Sequence, residues 1–253
     1  MCKSVYHNSN TYMKSLYIIF LNFRLLLFCA GIFFFLSCGK DIVEPVPQGI
    51  GYFPLKKGNY YVYNVKVFSG FNELGLTDTT IYQLLEAQTD SFTDLEGNIQ
   101  YRLERFSRPS SDSSWGKIDS VWSASRNNFG ALRTENQRRI LKLIFPVEEG
   151  IKWNPNVYNE LPAEKKKYGK TGIPATIAGK LYPKTTEVIQ EDITTLISQN
   201  IDKEYYAEGV GLIYKKFIDL EFELNPDTNI IQGIKYYQEL VKFEYCTEGC
   251  EWQ

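Results

Sequence analysis

The stretch Ile218-Asp219-Leu220-Glu221-Phe222-Glu223-Leu224 decides the fold class. Apolar and acidic residues alternate strictly, so an extended chain places the aliphatic and aromatic side chains on one face and the acids on the other. One dry face and one wet face belong to an antiparallel sheet, because a parallel strand buried on both sides reads as an unbroken apolar run. Working outward, residues 59–68 are β-branched and aromatic, with Tyr61, Tyr63, Val65 and Val67 on one side of the pleat. Ile99, Tyr101 and Leu103 alternate with Gln100, Arg102 and Glu104. Residues 79–86, 118–124, 139–145, 205–216 and 234–245 are further expected strands. Turn chemistry lies at Asp94-Leu95-Glu96-Gly97-Asn98 and at Asn225-Pro226-Asp227-Thr228-Asn229. Only residues 185–198 read otherwise: Ile189, Ile193, Leu196 and Ile197 have helical spacing, and one short helix is expected there. The expectation is a mostly β, antiparallel domain over residues 51–253, with a sandwich, a half-barrel and a barrel all compatible with the pattern.

The N-terminus is a different kind of segment. Residues 25–36 form an uncharged apolar run behind Lys14 and Arg24. That is the length of a signal-peptide core and short of a full bilayer span. Extending it backward into a transmembrane helix puts Arg24 in the hydrocarbon, at about 2.5–3.5 kcal/mol. The run ends in Phe35-Leu36-Ser37-Cys38-Gly39, which resembles the lipobox of bacterial lipoproteins, with Cys38 as the residue that receives diacylglycerol. Residues 1–37 are therefore read as the leader, starting at Met1 or Met13. Residues 38–50, with Pro45, Pro47 and mixed charge, are read as lipidated Cys and tether. The same lipobox, together with Tyr52-Phe53-Pro54-Leu55-Lys56-Lys57-Gly58-Asn59-Tyr60-Tyr61-Val62-Tyr63 and Tyr205-Tyr206-Ala207-Glu208-Gly209-Val210-Gly211-Leu212-Ile213, resembles uncharacterised β-rich outer-membrane lipoproteins of Gram-negative bacteria. The resemblance implies an envelope address, on the periplasmic or the surface face, and carries no catalytic residue with it.

Removing the leader changes the chemistry that remains. It holds Lys3, Lys14 and Arg24, no acid and the single His, so the balance moves from 28 bases against 30 acids to 25 against 30. Without imidazole, Ser-His-Asp and Cys-His catalysis and His-ligated metals are excluded, and the net negative charge disfavours nucleic acid. No cofactor and no metal site is expected. Gly169-Lys170-Thr171 matches the end of a phosphate-binding loop, but the required first Gly is Glu164. Asp94, Glu96 and Asn98 alternate as calcium ligands do, without the distal Glu of an EF-hand, and a hairpin turn accounts for them. Glu221 with Glu223, or Glu191 with Asp192, are the carboxylate pairs a glycoside hydrolase would need, and also the ordinary wet face of a strand. Residues 154–183, rich in Pro and Gly around Lys165-Lys166-Lys167, read as a long basic loop.

Three further features complete the reading. Cys246 and Cys250 are the expected disulfide of an oxidising compartment, with two free thiols as the alternative. The frame Phe-Pro-aliphatic, two charges, Gly, and an aromatic three residues later occurs at Phe53–Tyr61 and again at Phe145–Trp153. In each copy Gly is expected at φ > 0 just before an aromatic enters the core. Where Tyr60 adjoins Tyr61 and Tyr236 adjoins Tyr237, one ring of each pair is expected to be exposed and available to a glycan, a peptide or an envelope protein. The functional expectation is a lipid-anchored, non-enzymatic binding or structural module, with an acyl-chain carrier or a carboxylate-dependent hydrolase as the alternatives.

Overall fold

The computed structural model describes residues 49–71, 77–223 and 230–247. All of them belong to one compact unit, Val46–Gln253. The expected leader, Cys38, most of the expected tether, the expected turn at 225–229 and Cys250 lie outside the described residues.

A 3-10 turn (Ile50–Tyr52) precedes twelve strands: β1 (Asn59–Ser69), β2 (Asp78–Thr93), β3 (Ile99–Arg108), β4 (Ile118–Arg126), β5 (Gly130–Glu135), β6 (Arg138–Ile144), β7 (Lys152–Trp153), β8 (Lys166–Ile177), β9 (Lys180–Thr194), β10 (Ser198–Ala207), β11 (Gly211–Phe222) and β12 (Ile230–Tyr245). They form one antiparallel sheet in the order β6-β5-β4-β3-β2-β1-β12-β11-β10-β9-β8-β7. Every ladder except β1–β12 joins strands consecutive in the chain, so the sheet is an up-and-down meander. Its two edges, β6 and β7, are themselves consecutive. Of the architectures compatible with the sequence, the nearly closed barrel is the one formed.

The seam between β6 and β7 is closed by side-chain bonds and one isolated backbone bond instead of a ladder. The Tyr168 hydroxyl donates to the Ile144 carbonyl at 2.6 Å and accepts from the Ile144 amide at 3.0 Å. The Trp153 indole donates to the Leu141 carbonyl at 3.0 Å, and the Leu141 amide to the Pro155 carbonyl at 2.9 Å. An open edge is thereby denied to other strands.

Gln88, Arg126 and Gly209 tie the segment before β1 across the barrel end where β1 begins. Arg126 donates to the carbonyls of Ile50 (3.0 Å) and Phe53 (2.8 Å), and Gln88 accepts from the Lys56 amide at 2.7 Å. Gly209 donates to the Gly51 carbonyl at 2.8 Å. Tyr52, Phe53 and Leu55 are thus packed into a core with Leu103, Leu143, Phe145, Val147, Trp153, Tyr168 and Tyr206. This lower end is an apolar plug. Both copies of the Phe-Pro frame take part in it: Gly58 (φ +95°) and Gly150 (φ +83°) make the expected left-handed turns, and Tyr61 and Trp153 are buried. One copy leads into β1 and the other into β7, so each opens a run of six strands.

Four expectations are corrected. Residues 185–198 hold no helix: they are the end of β9, a turn and the start of β10. Thr186 and Val188 are buried opposite Tyr206 and Glu204, a period-two pattern that suits β-branched side chains better than a helix does. Thr195 makes the turn, its hydroxyl accepting from the Ile197 and Ser198 amides. Much of the expected loop at 154–183 is the β8–β9 hairpin, turned at Ala178 (φ +48°) and Gly179 (φ +78°). Residues 205–216 are two strands, because Gly209 (φ +75°) and Gly211 (φ +102°) reverse the chain between β10 and β11. Finally, neither ring of the Tyr60–Tyr61 pair is exposed. Tyr61 faces the interior, while Tyr60 packs on the outer face with Val62, Leu85, Ala87 and Phe106, so β1 is buried on both sides.

Candidate functional site

Above the plug the barrel is lined by charge. Alternation from Tyr61 and Tyr63 on β1 carries inward position to Glu86 on β2, Arg105 on β3, Trp122 on β4 and Arg133 on β5. On the other half the same parity turns Glu204 and Asp202 of β10, Lys215 and Phe217 of β11, and Tyr236 and Gln238 of β12 inward. Together with Glu135, Lys142, Leu212 and Ile234 they enclose a cavity of about 400 Å³ that is open to solvent. That volume lies in the range of small-molecule sites.

The charges form two linked clusters. In the first, Glu86 bonds Arg133 by a short contact and lies 3.5 Å from Arg105. The guanidinium groups of Arg105 and Arg133 lie 3.8 and 4.6 Å from the centre of the Trp122 ring. Glu135 joins the clusters, 3.3 Å from Arg133 and 3.8 Å from Lys142. In the second, Glu204 receives Lys142 at 2.7 Å, the Tyr206 hydroxyl at 2.7 Å and, more loosely, Lys215 at 3.6 Å. Glu204 is only 2 % exposed. Lys166 is buried nearby and makes no hydrogen bond or ion pair among the described residues.

Burial raises the Glu204 carboxyl, but the ammonium groups of Lys142, Lys166 and Lys215 outweigh it and hold the group well below the usual carboxylate range. Glu135 is lowered in the same way: burial opposes, and Lys142, Arg133 and Lys215 prevail. Lys142 is raised, because Glu204 and Glu135 together overcome its burial. Lys166 is lowered, since burial exceeds what Glu204 returns. At neutral pH Glu135 and Glu204 are therefore ionised, and neither has a proton to give. The arrangement is a set of fixed charges around the cavity.

The features singled out from sequence lie elsewhere. Glu221, Glu223, Glu191 and Asp192 are exposed, and Asp192 is paired with Lys203 on the outer face. The Asp94 carboxylate accepts from the Glu96 and Asn98 amides and from Gln100, and so stitches the β2–β3 turn. Gly169-Lys170-Thr171 runs within β8, where Thr171 meets Thr186 across the strands. Of the Tyr236–Tyr237 pair, Tyr236 lines the cavity and Tyr237 faces outward. Cys246 is disulfide-bonded, and its expected partner Cys250 lies outside the described residues. None of the cavity charges stands out in the sequence. The one available signal was Glu204 and Lys215 flanking the turn at Gly209, which that turn brings opposite each other.

No family model, curated protein or solved structure matches this chain. The cavity is accordingly interpreted from its own geometry.

Proposed function

We propose that this chain is an outer-membrane lipoprotein, anchored in the envelope by diacylglycerol on Cys38, whose barrel is a non-enzymatic binding module. The observation that carries the reading is the asymmetry of the barrel: one end is sealed by apolar packing, and the space above it is an open, charge-lined cavity of about 400 Å³.

The outer face favours a barrel in water over one in lipid. A membrane barrel presents an apolar band outward. Here Lys66, Glu187, Lys203, Lys216 and Glu239 occupy outward positions in the middle of their strands. No helix among the described residues is long and apolar enough to cross a membrane. The lipobox at Cys38 supports attachment through the lipid and the tether. An acyl carrier needs an unfilled apolar interior, and a hydrolase of the two-carboxylate type needs an acid whose pKa is raised. The cavity walls are charged, and Glu135 and Glu204 are lowered. Both observations favour a binding role.

In detergent phase separation the mature protein is expected in the detergent phase and its Cys38→Ser form in the aqueous phase. Retention of Cys38→Ser with the detergent contradicts the anchor. Native mass spectrometry of the membrane-extracted protein is expected to show a small bound compound. No bound mass, together with no ligand-dependent rise in melting temperature, contradicts the binding role.

A further inference from the structure

The hydrogen-bond inventory of the cavity is unbalanced, and the imbalance says what charge the ligand carries. Among the described residues the Arg105 guanidinium makes no hydrogen bond. Its nearest anion, Glu86, is 3.5 Å away and already committed to Arg133, and its buried Nε has no acceptor. The Trp122 Nε1–H is likewise buried without an acceptor, whereas the Arg133 Nε–H faces the Glu135 carboxylate at 3.3 Å. The two donors lie together because β3 and β4 are neighbours and each contributes an inward residue to one wall. Stacking on Trp122 fixes the Arg105 guanidinium in place, so its fork is held ready without an internal partner. Buried donors in native proteins are almost always satisfied, and two orphans on one wall mark the place of an acceptor.

The acids offer no corresponding vacancy on that wall. Glu86, Glu135 and Glu204 each have two cations within 4 Å. Asp202, the lining carboxylate without an ion pair among the described residues, is on β10, six strands around the sheet from β4. The rest of the lining supplies an apolar surface in Phe217, Tyr236 and Ile234.

Resting on the reading of the cavity as a binding site, we infer that its ligand is a small organic oxyanion, a carboxylate or a phosphate ester with a compact apolar body. The oxyanion accepts from Arg105 and from the Trp122 Nε1–H, and the body lies against Phe217 and Tyr236. A planar guanidinium fork matches the paired oxygens of either head group.

Four probes of similar size separate the charge types: benzoate, phenyl phosphate, benzyl alcohol and benzylammonium. Each is titrated calorimetrically into the full-length protein in detergent, at constant ionic strength and against a micelle blank. Benzoate or phenyl phosphate is expected to bind one per barrel, at least about ten-fold more tightly than benzyl alcohol, with benzylammonium weaker still; the tighter anion names the head group. Arg105→Gln is expected to weaken the anions about ten-fold or more and to leave benzyl alcohol unchanged. If that variant does not fold, the ranking on the wild type decides, and Trp122→Phe, which deletes one donor, is expected to weaken the anions alone. Benzyl alcohol or benzylammonium binding as tightly as the anions overturns the oxyanion assignment while keeping the cavity as a site. Binding of none of the four overturns the assignment and the binding role together.

Discussion

Glu204→Gln is expected to lower the unfolding free energy by about 3–5 kcal/mol, the cost of leaving a buried charge cluster without its counter-ion. The substitution is nearly isosteric, so little of the loss comes from packing. What disappears is the charge that holds Lys142 at 2.7 Å and Lys215 at 3.6 Å and that offsets the burial of Lys166. Urea denaturation at pH 7 measures it. Because the folded carboxyl titrates below its ordinary 4.5, its stabilisation is complete above pH 4.5 and shrinks as the pH falls through the folded value. The difference between wild type and Glu204→Gln therefore narrows in acid, and Glu135 adds an acid-labile contribution of the same sign. Lys166 acts at the other end of the scale. Its folded value is below 10.5, so its burial costs stability at neutral pH, and that cost is relieved as the pH rises through the folded value. Replacing Glu204 and Lys142 together by Gln and Met is expected to recover part of the loss, since removing both partners avoids the stranded charge. A loss below about 1 kcal/mol for Glu204→Gln would mean that the cluster is solvated and not buried.

Tyr168→Phe is expected to cost about 3 kcal/mol for the removal of one oxygen. That hydroxyl satisfies both the amide and the carbonyl of Ile144 at the β6–β7 seam, and each orphaned group carries about 1–3 kcal/mol. The ring itself stays packed 4.6 Å from Trp153, so the effect isolates the hydrogen bonds. Amide exchange at Ile144 is the specific readout: it should accelerate far more than exchange at Leu132 or Leu143 deeper in the β5–β6 ladder. Equal protection of Ile144 in the variant and the wild type would show that the seam is closed by something other than this hydroxyl.

These two residues also show where sequence reasoning reaches its limit. Strand identity was legible because alternation is local: Asn59–Ser69 and the start of Ile218–Phe222 follow directly from period-two patterning. Turn chemistry was legible for the same reason, at Asp94–Asn98 and at both frame glycines, Gly58 and Gly150. Closure was not, because a sandwich and a barrel use the same alternation and differ only in which distant strands meet. The seam is held by contacts between residues well apart in the chain, among them a hydroxyl reaching 24 residues back. The β8–β9 hairpin was obscured by its many Lys, Thr and Gly residues, which provide little apolar period.

The site was hidden by a more general inversion. A strand with one charged face is read as charged toward water, and on β10 the opposite holds: Asp202 and Glu204 face the cavity while Ile201 packs outside with Ile218. On β2, Leu85 and Ala87 are the outward residues and Glu86 the inward one. Only the ladder register, which pairs Glu204 with Lys215 and Tyr61 with Glu86, shows which face is which. The expected leader, Cys38 and Cys250 lie outside the described residues, and the proposed envelope address rests on the lipobox motif.

The central claim is a barrel plugged at one end and open above the plug into a cavity whose wall offers cationic donors. Iodide quenching of Trp122 tests it most directly, taken as the difference in emission between the wild type and Trp122→Phe. This difference emission is expected to be quenched by iodide and much less by caesium, because two guanidinium groups lie 3.8 and 4.6 Å from the centre of the Trp122 ring on the wall of an open cavity. Difference emission untouched by either ion would contradict the open cavity, and caesium quenching as strong as iodide would contradict its cationic wall.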